Sequence, residues 1–152
     1  MSATRESTWK PKASGVRFDF VYTAIRVRDI AASMKFYTEI LGMEIVDPLQ
    51  STPFTKGKVI ILRSPGGSQR LELNWYEPGS RFGPKYKNGE ELDHLAFECD
   101  DVPTAIAELE RKGVEVLVRS KEIGSWDEAF VKDPNGIWVE LLPRNQGAAP
   151  SE

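Results

Sequence analysis

The chain of 152 residues carries 20 Lys and Arg against 23 Asp and Glu, so its net charge of −3 leaves no basic footprint for nucleic acid. At 40% hydrophobic and 28% charged it has the balance of one ordinary globular domain, large enough to bury a core without staples. The longest apolar run, Val59 to Leu62, is far too short for a membrane helix, and a lone Cys99 leaves no intramolecular disulfide. The opening MSATRESTWKPKASG has no apolar stretch of a secretory signal. A cytoplasmic setting without membrane partners is the expectation.

Residues 1–16 are rich in Ser, Thr, Lys and Pro, without apolar period, and read as a flexible tail. Phe18 to Arg28 alternates and is rich in β-formers, which predicts a strand. Asp29 can cap a helix in which Ile30, Met34, Tyr37 and Leu41 recur at helical spacing, with Gly42 as its stop. Three short strands follow, at about 43–47, 57–63 and 69–75, the last two joined by the turn SPGGS at 64–68. A long segment, EPGSRFGPKYKNGEEL at 77–92, reads either as a binding segment or as a plain linker.

The same plan then recurs. Leu92 to Glu98 is a strand, and Asp101 can cap a helix bearing Val102, Ile106 and Leu109 that ends at Gly113. Strands near 114–118, 128–132 and 137–142 follow, the last two joined by DPNG at 133–136. Residues 145–152 read as a second flexible tail.

The halves superimpose as sequences. Tyr22 falls on His94, and the same offset puts Asp29 on Asp101 and Ile30 on Val102. Glu72 falls on Glu140 at a slightly shorter offset. The prediction is an α+β fold: one domain over 17–144, made of two tandem βαβββ units at about 18–76 and 92–143, with a concave mixed sheet forming the site.

Alternation decides what that concave face carries. His94, Ala96 and Glu98 share one face of their strand, with Leu95 and Phe97 on the other. Arg70, Glu72 and Asn74 share one face of theirs, and Glu140 lies on a face with Trp138 and Leu142. A carboxylate among apolar side chains needs a partner or a metal. If the repeated sheets face one another, Tyr22, Glu72, His94 and Glu140 converge. Imidazole with carboxylates suits one divalent ion (Zn²⁺, Ni²⁺, Co²⁺, Mn²⁺ or Fe²⁺) acting as a Lewis acid.

The stretch TAIRVRDIAASMKFYTEILGMEIV, with LEL at 71–73, DHLAFECDDV at 93–102 and KDPNGIWVELL at 132–142, resembles the vicinal-oxygen-chelate superfamily of glyoxalase I, bleomycin resistance proteins and dioxygenases. The resemblance covers about residues 18–143. It implies Glu72, His94 and Glu140 as metal ligands, with Tyr22 at the fourth ligand position. It also implies Glu72 and Glu140 as proton-moving residues, and Arg26, Tyr22 and Asn74 as contacts to substrate. The activity implied is that of a metal-dependent lyase or isomerase, lactoylglutathione lyase-like. It would act on a small oxygen-chelating substrate by proton transfer through a metal-stabilised enediolate. A metal-free binding protein of the antibiotic-binding type and an acyl-thioester epimerase are the alternatives. A ring-cleaving dioxygenase ranks last, because its site wants two histidines and this chain has one. The resemblance also implies a homodimer.

Overall fold

The computed structural model describes residues 15–119, 127–134 and 136–144. Its strands are β1 (Phe18–Arg26), β2 (Glu44–Thr52), β3 (Gly57–Arg63), β4 (Arg70–Tyr76), β5 (Leu92–Cys99), β6 (Glu115–Val118), β7 (Ala129–Lys132) and β8 (Trp138–Pro143). The helices are α1 (Ile30–Lys35), continued by a π-helical turn over Phe36–Ile40, and α2 (Val102–Arg111). All eight strands form one sheet in the order β2-β3-β4-β1-β5-β8-β7-β6. In each unit the first strand pairs in parallel with the last, β1 with β4 and β5 with β8, and the units join where β1 runs antiparallel to β5. The two βαβββ units predicted from the repeat are therefore present and share one sheet.

Each helix starts where its aspartate stands. Asp29 accepts from the Ala32 amide at 2.9 Å and Asp101 from the Thr104 amide at 3.0 Å, satisfying donors that an uncapped first turn leaves bare. Both helices end at a glycine in the left-handed region, Gly42 at φ +75° and Gly113 at +84°, where any side chain would be strained. Each helix covers the convex face of its own unit. Ile30 and Met34 of α1 pack on Ile60, Leu62 and Leu73. Val102, Ala105 and Ile106 of α2 pack on Cys99, Val131 and Leu141. The opposite, concave face is left for polar side chains.

Four expectations change in detail. The first strand stops at Arg26 instead of Arg28: the Val27 amide makes the last ladder bond, to the Asn74 carbonyl at 2.9 Å, before the chain enters the Asp29 cap. β2 runs to Thr52, through Pro48. It is an edge strand whose pairing with β3 slips on either side of Asp47, so the missing proline N–H breaks no ladder. The first helix is α-helical only to Lys35. Beyond it the Leu41 amide bonds Phe36 O, while the Thr38 hydroxyl bonds Met34 O at 2.7 Å and widens the turn. The expected tails lie outside the described residues apart from Gly15 and Val16, and Val16 is buried in the α2 core. Among the described residues no helix is long and apolar enough to cross a membrane.

Candidate active site

The pairing register places the site. On β1, Ala24 stands between Glu72 of β4 and His94 of β5; on β5, Ala96 stands between Tyr22 of β1 and Glu140 of β8. This is one arrangement written twice about the β1–β5 axis. The alanines are fully buried and small, so the four larger side chains can lean over them toward each other. They meet within one chain, with Asn74, at the floor of a cavity of about 530 Å³. Tyr22, Glu72, Asn74, His94 and Glu140 are each no more than 8% exposed, so nothing here is a solvated polar face.

The contacts are close. The Tyr22 hydroxyl donates to Glu140 Oε2 at 2.5 Å. His94 Nε2 lies 2.9 Å from that same oxygen and 3.6 Å from Glu72 Oε1. Asn74 Nδ2 donates to Glu72 Oε1 at 2.6 Å. The other imidazole nitrogen, Nδ1, meets Asp93 Oδ1 at 2.8 Å, which orients the ring. Nε2 is buried without a hydrogen-bond partner. Among the described residues, no three His, Cys, Asp or Glu side chains already surround one point as metal ligands.

The electrostatics split the carboxyls. Burial, reinforced by the Glu140 charge, pushes the Glu72 carboxyl up to about 7, against the pull of His94. Burial also works on Glu140, but the His94 charge 2.9 Å away, the Tyr22 hydrogen bond and the neighbouring Glu128 outweigh it and hold that carboxyl below its usual range. Burial opposes charge on His94, yet Glu140, Asp93 and Glu72 keep it well above the ordinary imidazole value. Burial and both glutamates push the Tyr22 phenol far up, so it is a neutral donor.

Arg26 lines the cavity but is engaged by its own chain. Its guanidinium donates to the Glu90 and Leu92 carbonyls at 3.2 and 2.8 Å and lies 3.5 Å from Asp93. Three features were not read from the sequence. Glu128, immediately before β7, neighbours Glu140, and burial and that neighbour push it up to about 8. Asp93 should point away from His94 by alternation. Phe130 stands against the imidazole at 5.7 Å; the parity of β7 against Glu140, its register partner, is the signal that could have found it.

Paired βαβββ units, one shared sheet and a buried polar cluster on its concave face define one class of α+β domain. The family model for the Glyoxalase/Bleomycin resistance protein/Dioxygenase superfamily matches residues 19–141, and the chain belongs to that superfamily. It is 31% identical to the lactoylglutathione lyase of Schizosaccharomyces pombe over 143 residues, 82% of this chain and 47% of that one. It thus spans about half the length of that relative. It is 28% identical to a probable lactoylglutathione lyase of Vibrio parahaemolyticus, covering 87% of this chain and 95% of that one. Among solved structures, Streptomyces coelicolor methylmalonyl-CoA epimerase matches with a TM-score of 0.67 at 27% identity, over 87% of this chain and 98% of that one.

Proposed function

We propose that the chain is an enzyme of the glyoxalase I type, a metal-dependent lyase or isomerase that moves a proton between neighbouring carbons of a small oxygen-chelating substrate. The observation that carries this reading is the His94 Nε2 atom, buried without a hydrogen-bond partner between two carboxylates at the floor of the cavity. A nitrogen and two carboxylate groups are a donor set for Zn²⁺, Ni²⁺, Co²⁺, Mn²⁺ or Fe²⁺. His94, Glu72 and Glu140 would hold one such ion, drawn inward from their present positions. Bound there, it would supply Lewis-acid stabilisation of negative charge on substrate oxygen.

The protein's own groups do the rest. Glu72 and Glu140 are the proton carriers, one on either side of His94. Asn74 orients Glu72 through its 2.6 Å bond, and Tyr22 orients Glu140 through its 2.5 Å bond. The buried floor excludes water, so a proton taken from one carbon is held for return to the next. Glu72→Gln and Glu140→Gln are each expected to lower turnover at least roughly a hundredfold with the fold intact. The assay is lactoylglutathione formation in metal-supplied protein. Methylmalonyl-CoA epimerisation by wild type, with no lactoylglutathione formed, would replace this reading with that of an acyl-thioester epimerase, which the likeness to the Streptomyces enzyme favours.

A cytoplasmic homodimer belongs to the same proposal. Ile40, Leu41 and Ile45 are more than half exposed next to the open edge at β2, an apolar surface that a second copy would cover. Sedimentation at micromolar concentration is expected to give twice the chain mass, and a stable monomer would remove the dimer from the proposal.

A further inference from the structure

We propose that one wall of the cavity is a binding site for a planar, anionic arm of the substrate, which stacks on the rings of Phe82 and Trp138 and pairs its carboxylate with Arg81. The wall is an unbroken series of rings that starts at the polar floor. His94 meets Phe130 at 5.7 Å, Phe130 meets Trp138 at 5.7 Å, Trp138 meets Phe82 at 6.2 Å, and Phe82 meets Phe54 at 5.5 Å. All of these contacts are tilted or edge-on, between 53° and 88°, and Phe82, Phe130 and Trp138 are only half-buried. Such a wall offers ring edges and faces to a flat guest.

Charge chooses the guest's outer end. The Arg81 guanidinium lies 4.8 Å above the Phe82 ring and 5.6 Å above that of Phe54, and these ring contacts are its interactions among the described residues. No carboxylate of the described chain neutralises it, although it lines the cavity. Arg26 and Arg70 also line the cavity, but Arg26 already donates to two carbonyls and faces Asp93, and Arg70 lies against no ring among the described residues. An incoming anion therefore meets Arg81, already planar and stacked, as the available fork.

The segment that carries Arg81 and Phe82 is built in place. The Ser80 hydroxyl donates to the Thr55 carbonyl at 2.6 Å and accepts from the Phe82 amide at 3.2 Å, and the Gly83 amide bonds Ser80 O at 3.3 Å. Gly83 is pressed so closely on Tyr76 that an added Cβ would stand 2.5 Å from that residue's Cβ. The part of the 77–92 segment that reaches the cavity is thus a fixed component of its wall.

As a statement about the substrate this inference rests on the reaction proposed above; as a statement about the wall it is tested without turnover. The probes are 2-naphthoate, its neutral counterpart 2-naphthamide, and the saturated, non-planar decahydro-2-naphthoate, titrated calorimetrically into the full chain in chelator. Wild type is expected to bind 2-naphthoate roughly tenfold more tightly than either comparison compound, as a charge-assisted contact and ring stacking each allow. Arg81→Ala and Arg81→Gln should remove the preference for naphthoate over naphthamide. Phe82→Leu should weaken both planar probes roughly fivefold and the saturated acid clearly less. Equal binding of naphthoate and naphthamide to wild type overturns the proposal. So does a preference that survives both Arg81 variants, or a saturated acid that binds as well as the planar one. Absence of lyase activity is a separate result and leaves these titrations as they stand.

Discussion

His94→Ala is expected to lower the stability of the metal-free protein by roughly 3–5 kcal/mol, the usual consequence of removing one partner from a buried charge cluster. His94 is the buried cation among the carboxylates of the floor, 2.9 Å from Glu140 and 3.6 Å from Glu72. Without it, Glu140 keeps the Tyr22 hydroxyl and Glu72 keeps the Asn74 amide, but no positive charge offsets their burial. Asp93 also loses the group that its Oδ1 contacts at 2.8 Å. His94→Gln retains a donor toward the same oxygens and is expected to lose clearly less. Urea denaturation of both variants in chelator measures the difference, and midpoints equal to wild type would show that the cluster holds itself together without the imidazole.

Most of this cluster was legible in the sequence because alternation and repetition are both local signals. Period two assigns Glu72 and Asn74 to one face of β4 and Leu73 to the other. The repeat assigns Glu140 to the equivalent place on β8, where the register sets Ala96 beside it as Ala24 stands beside Glu72. What alternation cannot show is where it is broken. Asp93 is adjacent to His94 and should face the helices, but the ladder pairs Ala24 with His94 and Ile25 with Leu92, so Asp93 is the extra residue of a bulge. That bulge is what lets it reach the imidazole.

The aromatic wall was legible only in part: alternation puts Trp138 on the face of Glu140, and Phe82 lies in the 77–92 segment that reads as a binding segment or a linker, but nothing in the sequence joins them. Phe54 follows β2, Phe82 sits between the units, and Phe130 and Trp138 come from β7 and β8. No single periodic stretch contains them, and only the closed sheet brings them together. Glu128 precedes a strand of four residues, Ala129–Lys132, too short for its own alternation to fix which way its neighbours point. Pro48 hid the far half of β2, because a proline argues against a strand everywhere except on an edge, and the edge is a property of the assembled sheet.

Tyr22→His is expected to strengthen metal binding, and it decides more about this site than any other single substitution. In the present structure the phenol is a neutral donor that occupies Glu140 Oε2, the oxygen nearest His94 Nε2. An imidazole at that position completes a set of two histidines and two glutamates, and neutral imidazole is a far better ligand for Zn²⁺, Ni²⁺ or Co²⁺ than a phenol. It also frees the Glu140 oxygen, so the metal-free variant should lose about 1 kcal/mol with that hydrogen bond. Added metal should more than restore it. At a hundredfold excess over the dissociation constant, linkage to the folded state contributes about 2.7 kcal/mol, or a melting temperature higher by roughly 5–10 °C for a domain of this size. Turnover need not follow, because Tyr22 orients Glu140 in the proposed reaction. Titration of Zn²⁺ and Ni²⁺ into both forms reads the result. Equal affinity in wild type and variant would place Tyr22 outside the metal shell. If neither form binds an ion, the metal chemistry of the family does not extend to this chain, and the floor is a metal-free polar network that binds a ligand through its hydrogen bonds.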